Sequence, residues 1–179
     1  MELSKILIIV SHPDLNNSIV NKRWIGELRK YPEQYVIHDL YAAYPNGKID
    51  VDSEHKLLDG FDRIIFQFPF FWFNCPPLLK QWLDEVLIYG WAFGSAGEYK
   101  LRDKKIALAI STGIDEEGYQ PMGKYKYTMK QLLAPFELTF NYIMADYRPA
   151  FIWYGLEFQG TTERIDNSAI KYLDYLASF

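Results

Sequence analysis

The sequence predicts a doubly wound α/β fold, a five-stranded parallel sheet in the order 2-1-3-4-5 with helices on both faces. Three observations lead there. The continuous apolar run at 5–10 and the largely apolar stretches 63–68 and 105–110 have the character of strands buried on both sides. Helical stretches alternate with them, which calls for right-handed crossovers and parallel pairing. The 179 residues, 49% apolar and 17% aromatic, suit one domain over 1–179 with a substantial core.

The elements follow in order. Lys5-Ile6-Leu7-Ile8-Ile9-Val10 is the first strand. Ser11 to Ser18 is a polar segment of turn formers and N-cap residues ahead of a helix over 19–30 that carries Val20, Trp24 and Leu28 on one side. A second strand spans 35–40, Pro45-Asn46-Gly47 is a turn, and 51–58 makes one or two helical turns. Arg63 to Phe68 is the third strand. It enters the aromatic loop Pro69-Phe70-Phe71-Trp72-Phe73-Asn74 and leaves as an amphipathic helix. Leu78, Leu79, Trp82, Leu83, Val86 and Leu87 recur there at three- and four-residue spacing, with Pro76 and Pro77 at its start. A Gly-rich aromatic loop, 89–97, precedes the fourth strand, 105–110, which ends in Ser111-Thr112-Gly113. A helix containing Met129, Leu133, Phe136 and Phe140, kinked by Pro135, leads to the fifth strand, 148–154. A last helix places Ile165, Ala169, Tyr172, Leu173 and Leu176 on one face. Five strands in one domain give the flavodoxin-like order, whose crevice lies over the ends of strands one, three and four.

Composition excludes several classes. A formal charge of −4 and a pI near 5.4, with scattered lysines and arginines, give no footprint for nucleic acid. No apolar run reaches membrane-spanning length, and the amino end carries no signal-peptide pattern, so a cytoplasmic protein is expected. The lone Cys75 rules out an internal disulfide and a Cys-rich metal site, and reads as a packed side chain.

The chemistry concentrates in three loops. A helix N-terminus attracts an anion, and Asn17 and Ser18 with the amides of Ile19, Val20 and Asn21 can cradle one phosphate or simply cap the helix. His12 contacts such a ligand or caps the turn. Neither G-x-G-x-x-G nor the Walker loop is present. Phe70 to Phe73 offer flat walls, or else core or dimer surface, and Ser111, Thr112 and Gly113 offer hydroxyls and close backbone approach. Jointly they describe a site for a phosphate and a flat heterocycle, FMN rather than NAD. FAD stays open, although the short chain leaves little for an adenine pocket.

Ser11-His12-Pro13 with Ser18 and Asn21, Phe68 to Phe73 followed by Pro76 to Trp82, Gly90 to Gly94, and Ser111-Thr112-Gly113 resemble the flavodoxin-fold NAD(P)H:quinone oxidoreductases over about residues 3–155. That family includes DT-diaphorase-like enzymes, bacterial modulators of drug activity and ancillary subunits of potassium efflux systems. The resemblance implies a homodimer with sites completed by both subunits, NADPH or NADH as reductant, a quinone-like acceptor, and, for the ancillary members, contact with a transporter. It implies phosphate-side contacts from His12 and Ser18 to Asn21, and a flavin wall from Pro69, Phe70, Phe71, Trp72 and Phe73. Ser111 to Ile114 match the family's TTGG segment, with Ile114 in place of the second glycine. Tyr119 matches a tyrosine bordering the flavin. Tyr125 stands near where some members carry a histidine, so these two tyrosines are the catalytic candidates. Trp91 and Phe93, with Tyr119, are the expected substrate contacts. The other classes to separate are an FMN electron carrier and a regulatory subunit of potassium efflux.

Overall fold

Residues that gain most from burial set the frame. The computed structural model describes residues 5–95 and 97–179, apart from the side chains of Phe158 and Gln159. The first four residues and Ala96 of the Gly-rich loop, both used above, lie outside the described residues. The chain runs β1 (Ile6–Val10), a 3₁₀ turn (Leu15–Asn17), α1 (Val20–Leu28), β2 (Tyr35–Asp39), α2 (Leu40–Ala43), α3 (Val51–Asp59), β3 (Arg63–Pro69), α4 (Pro77–Val86) and β4 (Lys105–Ser111). A second 3₁₀ turn (Glu116–Tyr119), α5 (Met129–Leu132), α6 (Ala134–Tyr142), β5 (Asp146–Tyr147), β6 (Phe151–Trp153), α7 (Leu156–Gln159) and α8 (Thr162–Ser178) complete it.

The sheet has the order β2-β1-β3-β4-β5, all parallel, with β6 also paired to β4. Alternation along each strand divides the core in two. Leu7, Ile9, Ile64, Phe66, Phe68, Leu108 and Ile110 meet Trp82 of α4 and Phe136 and Phe140 of α6. Ile8, Val10, Ile65, Ala107 and Ala109 meet Trp24 of α1 and Tyr172 of α8. Both deeply buried tryptophans find an acceptor: Trp24 Nε1 donates to Ser168 Oγ at 2.8 Å, and Trp82 Nε1 to Glu54 Oε2 at 2.7 Å.

Four expectations change. The stretch at 51–58 is a full nine-residue helix, because Asp50 caps it through Ser53 N and both Glu54 and Leu58 are buried. The single strand over 148–154 is two pieces. Tyr147 pairs with Ile106 and Phe151 with Ala109, so three edge residues oppose two on β4, and Pro149 in the surplus has no N–H to give the ladder. The Pro135 kink is a break between α5, closed by a Thr128–Gln131 capping box, and α6, which holds Pro135 at its start. Finally, α7 was not anticipated, and Leu173 is only partly buried. Among the described residues no helix is long and apolar enough to cross a membrane.

Glu54 is a fully buried carboxylate. His38 Nε2 lies 2.7 Å from its Oε1, the Tyr44 hydroxyl donates to the same oxygen, and Trp82 takes the other. Burial pushes its pKa up, but the hydrogen bonds from His38, Tyr44 and Trp82 together outweigh that and hold it below the ordinary value of 4.5. A lowered folded-state pKa gives stability that is present above the unfolded value and lost as pH falls through the folded one. We therefore expect Glu54→Gln to flatten the loss of stability below about pH 4.5, followed by urea unfolding across pH. Glu54→Leu, which leaves three donors facing an apolar group, should cost about 3 kcal/mol at neutral pH.

Candidate functional site

Strand register brings the three loops to one rim. Gln67 of β3 faces Val10 of β1 and Ala109 of β4, and Pro69 faces Ser111. The chain therefore leaves β1, β3 and β4 at nearly one level. A cavity of about 380 Å³ opens there. His12, Asn17, Ser18, Ile19, Val20 and Asn21 line it from the first loop, Pro69, Phe70 and Phe71 from the second, and Ser111, Thr112 and Gly113 from the third.

The first loop is locally organised. Asn17 gives its amide and its side-chain Nδ2 to Asp14, at 3.3 and 2.8 Å. Ser18 Oγ accepts from Asn21 N at 3.2 Å, which keeps its hydroxyl proton available. Ile19, at the N-cap of α1, provides no side-chain cap, so the first amides of that helix and its positive end belong to the cavity. His12 Nδ1 accepts from Asp14 N at 3.1 Å, which leaves Nε2 as the protonated donor in the neutral ring. Burial lowers the His12 pKa against the raising influence of Asp14 and Asp39, which favours the neutral ring.

The second loop carries backbone strain. Trp72 and Phe73 sit at φ 48° and 62°, a left-handed conformation uncommon for such side chains. Phe70 is anchored by its amide on Ser111 O at 2.9 Å and is buried, whereas Trp72 is 91% exposed. Phe73 is turned from the cavity toward Tyr125, with ring centroids 4.9 Å apart. Cys75 is buried with its pKa pushed up to about 11, a packed and unreactive thiol.

In the third loop, Thr112 gives its amide to Trp153 O at 2.9 Å, so its hydroxyl is what it offers the cavity. That hydroxyl is 2.7 Å from Tyr119 OH. Tyr119 is 3% exposed and packs against Phe70, Tyr125 and Tyr154, so it belongs to the core rather than to the surface. Burial raises its pKa and Thr112 opposes the rise. A second cavity of about 490 Å³, on the α5 and β6 side, is lined by Tyr119, Met129, Leu133 and Ile152 among others. Size alone does not select the site, since this larger cavity contains no residue of the first two loops. Ile114 points its side chain at the second 3₁₀ turn, where a Cβ on Gly118 would fall 2.5 Å from Ile114 Cγ2. Gly118 thus makes room for the side chain that replaces the family's second glycine.

Trp91 and Phe93 are not brought to this cavity within the chain. Trp91 stacks on His55 with centroids 3.7 Å apart, and Phe93 packs against Tyr89 and Tyr142. Conversely, Leu156, Gly160 and Ile165 line the cavity without having been anticipated. Three backbone bonds dock this segment on the third loop: Gly155 N to Ile114 O at 3.0 Å, Leu156 N to Thr112 O at 3.2 Å and Glu157 N to Gly113 O at 2.9 Å. Only the turn-forming glycines at 155 and 160 hint at this in the sequence. The cavity lining thus combines hydroxyls, an imidazole and the start of α1 with an apolar wall of Pro69, Phe70, Phe71, Leu156 and Ile165, and among the described residues His12 is its one titratable side chain.

Comparison with known proteins agrees with this fold. A family model described as flavodoxin-like fold matches residues 4–176. A Bacillus subtilis protein named uncharacterized NAD(P)H oxidoreductase YrkL is 47% identical over 172 residues, 96% of this chain and 97% of its own. The crystal structure of general stress protein 14 from Treponema denticola in complex with FMN is 46% identical, with a TM-score of 0.91 over 97% of this chain and 98% of that one. An NADPH-quinone reductase from P. pentosaceus is 28% identical, with a TM-score of 0.85 over 96% and 97%.

Gly155 gives a direct check on the docked segment. It sits at φ +79°, and a Cβ there would fall 2.3 Å from Asp115 Oδ1 and 2.8 Å from Arg164 Nη1. Gly155→Ala should cost about 2 kcal/mol in chemical denaturation. Gly26→Ala, mid-helix with nothing within 4 Å of its Cβ, should instead stabilise by about 0.5–1 kcal/mol.

Proposed function

Because the chain belongs to the flavodoxin-like fold family, we propose that it is an FMN-dependent NAD(P)H:quinone oxidoreductase. The observation that carries this reading is the convergence of the α1 N-terminus and an apolar aromatic wall in one cavity at the rim of β1, β3 and β4. A phosphate-bearing flat heterocycle fits that donor set, and a relative of 46% identity binds FMN.

When bound, FMN supplies the redox centre, taking a hydride from the nicotinamide and passing two electrons to a quinone-like acceptor. The protein's part is positioning, polarisation and proton supply. The amides of Ile19 and Val20 and the hydroxyl of Ser18 would hold the phosphate, with His12 Nε2 as a further donor. Phe70 and Phe71 would bound the flat part and exclude water from one side, and Pro69 and Ile165 also line the cavity. Thr112 presents its hydroxyl while Tyr119 OH, 2.7 Å away, can act as its donor or acceptor. The overall exchange, NAD(P)H plus quinone plus one proton to NAD(P)+ plus hydroquinone, needs a proton besides the hydride. This hydroxyl pair, facing one cavity through Thr112 and the other through Tyr119, is placed to hand it on. Tyr125, against Tyr119 at 5.1 Å, keeps that ring in place.

The acceptor and the nicotinamide occupy the open side, between Phe71 and the exposed Trp72. We assign Trp91 and Phe93 to a partner subunit's site in a homodimer, since neither reaches the cavity of its own chain and several large apolar side chains, Trp72 and Met122 among them, are strongly exposed. The cytoplasm, which supplies nicotinamide reductants, is its place of work.

The test is anaerobic stopped-flow mixing of the FMN-loaded protein. NADPH or NADH should bleach the flavin band and a quinone should restore it without a ternary complex. A protein that binds FMN but is not reduced by either nicotinamide is a carrier or regulatory subunit, and the enzyme reading falls. Tyr119→Phe should slow at least one half-reaction roughly tenfold or more, and unchanged rates in both would remove Tyr119 from the catalytic set.

A further inference from the structure

Gln67 lies in the middle of an apolar strand, between Phe66 and Phe68, and is fully buried. Its side chain continues the face of Ile65, the α1 side of the sheet. There its Nε2 donates to both the backbone O and the Oδ1 of Asn21, at 3.3 and 3.2 Å. Two acceptors facing one nitrogen fix which end of the amide is which. Asn21, 1% exposed, in turn donates Nδ2 to Ser111 Oγ at 2.9 Å, and its own amide goes to Ser18 Oγ. One side chain of β3 therefore pins the first turn of α1, and through Asn21 it ties that turn to the end of β4.

Gln67 leaves its own Oε1 without a partner among the described residues, whereas an apolar replacement would leave the buried Asn21 Oδ1 without its donor, at a cost of about 1–3 kcal/mol. Its bonds to Asn21 therefore contribute to stability, and they also have a geometric consequence. What the network does fix is the height and direction of the α1 N-terminus, which forms the polar end of the cavity. We propose that Gln67 is a positioning residue for the phosphate cradle: through Asn21 it aims the amides of Ile19 and Val20, and so it sets the preference for a phosphorylated flavin. This rests on the FMN reading above and adds to it a residue that never touches the ligand. Asn21, for its part, acts by holding the cradle rather than by presenting its side chain to the ligand.

The test compares FMN with riboflavin, which differs by the phosphate alone, using quenching of flavin fluorescence on binding to apoprotein. The wild type should bind FMN more tightly than riboflavin. Gln67→Met should weaken FMN binding about tenfold while changing riboflavin binding less than about twofold, so that the ratio collapses. Ser111→Ala, a smaller change that removes the acceptor for Asn21 Nδ2 at the cavity wall, should move the ratio in the same direction and covers the case in which Gln67→Met does not fold. An unchanged ratio in both variants overturns the inference and leaves the FMN reading standing, as does an equal loss for both ligands, which marks a general loss of the pocket. A wild type that binds neither flavin, or binds both equally, overturns the inference together with the phosphate site on which it rests.

Discussion

The parallel register that β3 keeps with β1 on one side and β4 on the other is the constraint on which the rest depends. Because Val10, Gln67 and Ala109 lie abreast, β1 ends within two residues of the level at which β3 and β4 end, and the loops that follow these strands meet at one rim. The apolar core enforces that register, since a slip of one residue would send Ile64, Phe66 and Phe68 to the wrong face. Packing far from the site thus determines that a site exists.

Around that rim the molecule turns polar by degrees. On the α1 side the strands are apolar at Ile8, Val10, Ile65 and Ala107, and become hydrogen-bonding at Gln67, Asn21 and Ser111 just below the cavity. Each of these groups is buried where an unpaired amide would be costly, so the layer allows few arrangements. The opposite face has its own buried polar knot, Glu54 with His38, Tyr44 and Trp82, which joins β2, α2, α3 and α4 away from the cavity. The first knot aligns a binding surface and the second holds helices in place.

The aromatic excess divides in the same way. Phe66, Phe68, Phe136 and Phe140 stack within the core, while Trp72 is held out in a strained left-handed turn beside the cavity. Strain of this kind persists only where the surroundings over-determine it. Here the bonds Phe70 N to Ser111 O and Asn74 N to Phe71 O clamp both ends of the loop.

The sequence by itself determined the alternation of strands and helices, the 2-1-3-4-5 order and the loops that carry the chemistry, because buried strands and amphipathic helices leave local periodic marks. It also singled out His12, Ser18, Phe70 and Thr112, which lie at strand ends or helix starts that can be read locally. Only the tertiary structure decided that the Leu156–Ile165 segment closes the cavity, that Tyr119 is buried against Thr112, that Trp91 turns away to His55, and that Pro149 splits the edge strand. These outcomes depend on contacts between residues tens of positions apart, whose partners no local pattern encodes. Gln67 and Glu54 show the limit most clearly. Each is visible in the sequence as a polar residue in an element that packs on the core, and only the partners brought to it by folding reveal what it holds.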